Sequence, residues 1–139
     1  MKISRRYILL IGLLPLLQSC ESRNFQAPKN LLIGHWIDAN GKIELYFDGS
    51  QLIMTVKNLE GKGRFNYSVA SENIFERSVK INGIDPVGPQ KGFKGRDRIY
   101  TFSLDGRTMV ENVTDYIDDK VFPYPPINSH YVDSRTSPP

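Results

Sequence analysis

The chain predicts an all-β fold: a small antiparallel meander barrel, or a strongly curled sheet, of about seven to eight strands. Three observations carry that expectation. From Leu31 onward apolar and polar residues alternate in short runs, Asn-Gly and Asp-Gly pairs separate the runs, and no window of helical length sustains a 3.6-residue period.

Before the strands comes a leader. Met1 to Arg6 carries Lys2, Arg5 and Arg6 and no acid, and Tyr7 to Leu17 is an uncharged, mostly aliphatic run broken only by Gly12 and Pro15. A bilayer-spanning helix needs about 20 apolar residues, so the run reads as the core of a cleaved export signal, not an anchor. Leu17-Gln18-Ser19-Cys20 closes it and holds the only cysteine. This stretch resembles the lipobox of bacterial lipoproteins. The resemblance implies removal of residues 1–19, a diacylglyceryl thioether on Cys20 and acylation of the new amino group. The physics agrees with more than one chain, since each buried CH₂ contributes about 0.8 kcal/mol and a single acyl chain holds a protein only marginally. A lone thiol in an exported chain would otherwise have no disulfide partner. Ser4-Arg5-Arg6-Tyr7-Ile8-Leu9 also resembles part of a twin-arginine signal, but without its phenylalanine and following lysine, and ordinary Sec export is the reading kept. Glu21 is not the aspartate that retains such lipoproteins at the inner membrane of enteric bacteria. The location implied is the cell envelope, at the outer membrane where there are two.

Removing the leader changes the charge. Three of the 18 basic residues lie in it, which leaves fifteen against 15 acids in the remainder. A nucleic-acid binder keeps a basic excess to displace counterions, so no nucleic-acid partner is expected. The remainder suits one domain.

Residues 20–30 are polar, contain Pro28 and read as a lipidated tether. Strands are expected at 31–37, 42–47, 51–57, 64–70, 73–81, 97–104 and 107–113. Asn40-Gly41 supplies the positive φ angles of a tight hairpin, and Asp48-Gly49 and Asp105-Gly106 turn the next pairs. Arg77 falls awkwardly inside its run, at an open end of the sheet or at an error of register. Asn82 to Gly95, dense in Gly and Pro, is the longest irregular piece of the core, and loops of that length are often functional. Residues 114–139 begin acidic and continue as Val121-Phe122-Pro123-Tyr124-Pro125-Pro126. They read as a Pro-rich extended tail, either disordered or draped over the barrel, because proline cannot donate to a ladder.

Leu32-Ile33-Gly34-His35-Trp36 resembles the Gly-x-Trp opening of lipocalin-like domains, in which tryptophan closes one barrel end. The Phe47-Asp48-Gly49 turn and the later Gly63-Arg64-Phe65-Asn66-Tyr67 strand are similar to small lipocalin-like domains of exported bacterial proteins. Trp36 itself is expected in the core, as are Phe47, Phe65, Tyr67, Tyr100 and Phe102.

Groups for chemistry are sparse. His35 and His130 are the two histidines, and with Cys20 lipidated they supply too few ligands for a zinc site. Asp38-Ala39-Asn40-Gly41 lacks the further acids of a calcium loop, and adjacent carboxylates such as Asp118 and Asp119 point apart on an extended chain. No catalytic residue, metal or cofactor is assigned. Lys91, Phe93, Lys94 and Arg96, with Arg98 beyond them, form the one locally basic, aromatic-containing patch, and the first four are the candidate contact for a partner or for anionic lipid. The expected function is non-catalytic: a lipid-anchored envelope protein that binds a small apolar ligand or an envelope partner. The alternative is a structural or assembly subunit of an envelope complex.

Overall fold

A computed structural model describes residues 23–84 and 91–139. Among these residues it contains one short helix, α1 (Pro28–Leu32), and ten strands: β1 (Gly34–Asp38), β2 (Ile43–Phe47), β3 (Gln51–Val56), β4 (Gly63–Asn66), β5 (Ser68–Asn73), β6 (Ser78–Asn82), β7 (Phe93–Phe102), β8 (Thr108–Ile117), β9 (Lys120–Pro123) and β10 (Ile127–Asp133). All pairings are antiparallel, in the order β4-β3-β2-β1-β10-β8-β7-β6-β5, with β9 also on β8. The fold is therefore all-β, as its alternation foretells, but with ten strands where seven to eight are expected.

Local chemistry sets where the strands turn. Asp38 Oδ1 accepts the Lys42 and Ile43 N–H groups at 2.7 and 2.9 Å, and Gly41 takes φ +69°. Asp48 Oδ1 does the same for Ser50 and Gln51 at 2.8 and 2.6 Å. These side chains stand in for ladder partners across the turn.

The two ends of the sheet order are consecutive in the chain. Only Tyr67 separates β4 from β5, so one bent length of chain pairs with β3 through its first half and with β6 through its second. The Tyr67 N–H donates to the Ser50 carbonyl at 2.8 Å. Across the bend Gly83, at φ +104°, comes so close that a Cβ would stand 2.6 Å from the Asn66 carbonyl oxygen. The sheet is nearly closed at this joint.

The strand expected over 73–81 is split. Ile74 to Arg77 forms the β5–β6 turn, Arg77 sits there at φ +54°, and its Nε donates to the Ser103 carbonyl at 3.1 Å. The awkward arginine thus marks a sheet end. Leu104, the end of the strand expected over 97–104, lies instead in the β7–β8 turn and is exposed.

Two larger corrections concern the chain's ends. Leu31 and Leu32 belong to α1, whose Pro28 occupies the first turn, where its missing N–H costs nothing. Of residues 20–30, read as a tether, those described from Arg23 onward are held against the barrel: Arg23 donates to the Gly106 and Leu31 carbonyls at 2.6 and 3.2 Å and lies 3.5 Å from the Tyr131 ring centre. At the other end β8 runs past Val113 to Ile117, and the Pro-rich segment follows it back. β9 pairs with Thr114–Ile117, β10 pairs with Thr108–Glu111, and Pro125-Pro126 occupy the gap between them, where no donor is needed. β10 then pairs with β1 and completes the sheet.

The core lies at the α1 end. Trp36, Phe47, Tyr100, Leu31, Leu32 and Val79 are fully buried, and the Trp36 indole N–H donates to the Leu32 carbonyl at 2.9 Å. Trp36 packs edge-on to Tyr131 and tilted on Phe102. Helix, tryptophan and arginine together plug this end.

Candidate functional site

The opposite end is open. The residues that face inward there are Ile43 and Leu45 on β2, Met54 on β3, Phe65 on β4 and Ile127 on β10. They surround a cavity of about 200 Å³, with Leu52 and Met109 toward the core. Its wall is not wholly apolar. Asp38, Arg98, Glu111 and Ser129 also line it, and Asp38, Glu111 and Ser129 are buried.

The polar wall follows from the β7–β8 register. Tyr100 faces Glu111, Arg98 faces Val113 and Arg96 faces Asp115, so alternate residues place both arginines on the inward face with Tyr100 and Phe102. Arg98 Nη1 donates to Glu111 Oε1 at 3.3 Å and its Nη2 to the Ile84 carbonyl at 3.3 Å. Both side chains of that pair are largely buried, 15% and 11% exposed. The fully buried Tyr100 hydroxyl lies near enough to both for their charges to act on it, yet neither approach has hydrogen-bond geometry. Burial, then the Glu111 charge, pushes that phenol well above its ordinary range. One storey nearer the rim, Arg96 forks onto Asp115 at 2.5 and 2.9 Å, and the Tyr124 hydroxyl donates to the same carboxylate at 2.7 Å. The Arg96 hydrogen bonds hold the Asp115 carboxyl below the usual carboxylate range, with Tyr124 adding to the effect.

Arg98 is the arginine that lines the cavity, and Glu111 answers its charge. A fixed ion pair beside an apolar cavity orients a ligand's polar group. Among the described residues no group of three or more His, Cys, Asp and Glu is placed to hold a metal.

His35 lies elsewhere, on the outer face of β1. It stacks on Tyr46 at 4.2 Å between ring centres. Nε2 is 3.2 Å from Glu44 Oε1, and Nδ1 is 3.5 Å from Asp133 Oδ1 and 3.2 Å from Arg135 Nη2. Those contacts tie β2 and the segment after β10 to β1, whichever nitrogen carries the proton. His130 is exposed on β10, and Asp118 and Asp119 are exposed in the β8–β9 turn.

Of the residues singled out from sequence, Cys20 lies outside the described residues. Lys91 is exposed ahead of β7. Phe93 is half-buried opposite Ile117, and Lys94 is exposed with its Nζ 3.4 Å from Asp119 Oδ1. Arg96 turns inward to Asp115, so the patch divides between two faces. Glu111 is not among the residues singled out from sequence, and Arg98 and Tyr100 are, but as part of the basic patch and of the core and not as a cavity wall. The signal available was phase, since Arg98 shares the alternation of Tyr100 and Phe102, and Glu111 that of Met109.

No family model, curated protein or solved structure matches the chain. The class that the fold defines is an all-β protein with a nearly closed antiparallel, barrel-like sheet.

Proposed function

We propose that this chain is a lipid-anchored protein of the cell envelope whose barrel binds, without transforming it, a small and mainly apolar molecule at its open end. The observation that carries the reading is the cavity of about 200 Å³, apolar on most sides and fitted with the buried Arg98–Glu111 pair on one. An apolar cavity of about 150 Å³ accepts benzene. The space here therefore suits one ring with a short polar substituent and is too small for a long acyl chain. The Gly34-His35-Trp36 opening of the first strand resembles that of lipocalin-like domains, and a nearly closed antiparallel sheet is compatible with that resemblance. Lipid on Cys20 rests on the Leu17–Cys20 stretch. A second reading, an accessory subunit of an envelope complex, is favoured by β9, which pairs only with β8 and leaves Val121 and Phe122 exposed on an outer edge.

Two of the three methionines, Met54 and Met109, line the cavity, and the third is Met1 in the leader. Methyl-labelled methionine therefore gives a two-signal NMR reporter of this site. Titration with p-cresol or benzoate is expected to shift both signals saturably, and Leu45→Trp, which fills the space, to abolish the shifts. Two signals that stay fixed across both compounds would refute the reading and leave the accessory role.

A further inference from the structure

We propose that the plugged end of the barrel is a membrane-contact face, seated on the lipid surface with the cavity mouth turned away from it. The strongest exposed apolar side chains are not scattered: Phe25 (82%), Ile74 (73%), Phe75 (101%) and Leu104 (83%) occupy three turns. Those turns are tied together. Arg77 Nη1 donates to the Asn24 carbonyl at 3.2 Å and Nε to the Ser103 carbonyl, while Arg23 reaches Gly106. Rigid turn tips carrying large apolar groups have no use for each other in water, and clustered exposure of this kind marks a contact surface. The mouth end carries apolar groups too, Leu59 and Val121 among them.

What separates the two ends is where the chain comes from. Arg23 is pinned at the plugged end, and Cys20 precedes it by three residues, a reach of at most about 10 Å. The inference rests on the proposed lipid at Cys20, which would hold these turns against the bilayer. Glu76 and Asp105 are exposed on the same turns as Ile74, Phe75 and Leu104, with Arg107 nearby, so contact is by apolar insertion and needs no anionic lipid. Lys94 stands ten residues up β7 from Leu104, about 30 Å away along an extended strand. The basic residues Lys91 and Lys94 then face away from the lipid.

The native lipidated chain in phosphatidylcholine vesicles tests this, because a lipidated Cys20 leaves no thiol and a nitroxide label goes only to an introduced one. Leu104→Cys and Phe75→Cys labels are expected to show oxygen accessibility several-fold above, and nickel-chelate accessibility several-fold below, those of a Lys94→Cys label, with no dependence on salt. If the unlabelled wild type floats with vesicles but both turn labels meet the nickel chelate, the membrane face is wrong and the anchor stands. Spin–spin broadening between Leu104→Cys labels would assign the turns to a second copy and overturn the proposal. A wild-type chain that takes label or retains residues 1–19 removes the anchor, and the membrane face with it.

Discussion

At the scale of single residues the informative positions are those where charge enters an apolar alternation. Arg98 and Glu111 sit on the inward face because strand phase puts them there, and they are tolerated because each answers the other. Removing one partner strands a buried charge, which costs about 3–5 kcal/mol, whereas replacing both by apolar groups of similar size is close to neutral. Glu111→Leu is therefore expected to lower stability by several kcal/mol in urea denaturation. Adding Arg98→Met to it should recover most of the loss, and strictly additive losses would show that the pair is not coupled. The phase of Arg98 was visible in the sequence, but its partner was not, because a register between two strands is fixed by tertiary pairing.

At the scale of elements, alternation located most of β1, β2, β3, β7 and the first half of β8, since each has one wet and one dry face. It failed where that contrast disappears. β5 is exposed along its whole length, and β9 ends on Pro123 and is parted from β10 by Pro125-Pro126, so the two read as a tail until their pairing with β8 is seen. α1 is a five-residue helix, too short to show a period, and it survives through Leu31 and Leu32. Gly34 is the hinge between helix and sheet. It takes φ +128°, and a Cβ there would stand 2.9 Å from the Asp133 carbonyl oxygen and from Tyr131. Gly34→Ala combines backbone strain with a clash against β10, and a loss of more than about 2 kcal/mol is expected in the same urea assay. A neutral result would mean that β10 can move aside.

At the scale of the whole molecule, acid is the expected route to unfolding. Asp48, Asp97, Asp105, Asp115 and Asp133 all have carboxyls held below their ordinary range, Asp133 at about 2 beside Arg135. A carboxyl depressed by folding stabilises the native state above its unfolded value, near 3.9, and that contribution is lost as pH falls through the folded value. Stability is thus expected to be flat above about pH 5 and to decline between about 4 and about 2. Asp115→Asn, at a buried site gripped by Arg96, should flatten this limb more than Asp105→Asn at an exposed turn. Urea midpoints measured from pH 2 to 7 decide it, and equal effects would contradict the ranking.

The pairing of β1 with β10 sets Trp36 beside Tyr131, so the earliest strand to be synthesised waits for the latest. Until residue 133 has left the ribosome, the growing polypeptide keeps a free margin along its first strand and has no finished ring to lock. Under the proposed export through a narrow channel, that delay would keep the chain in a passable state during transit and leave its final shape to the far side.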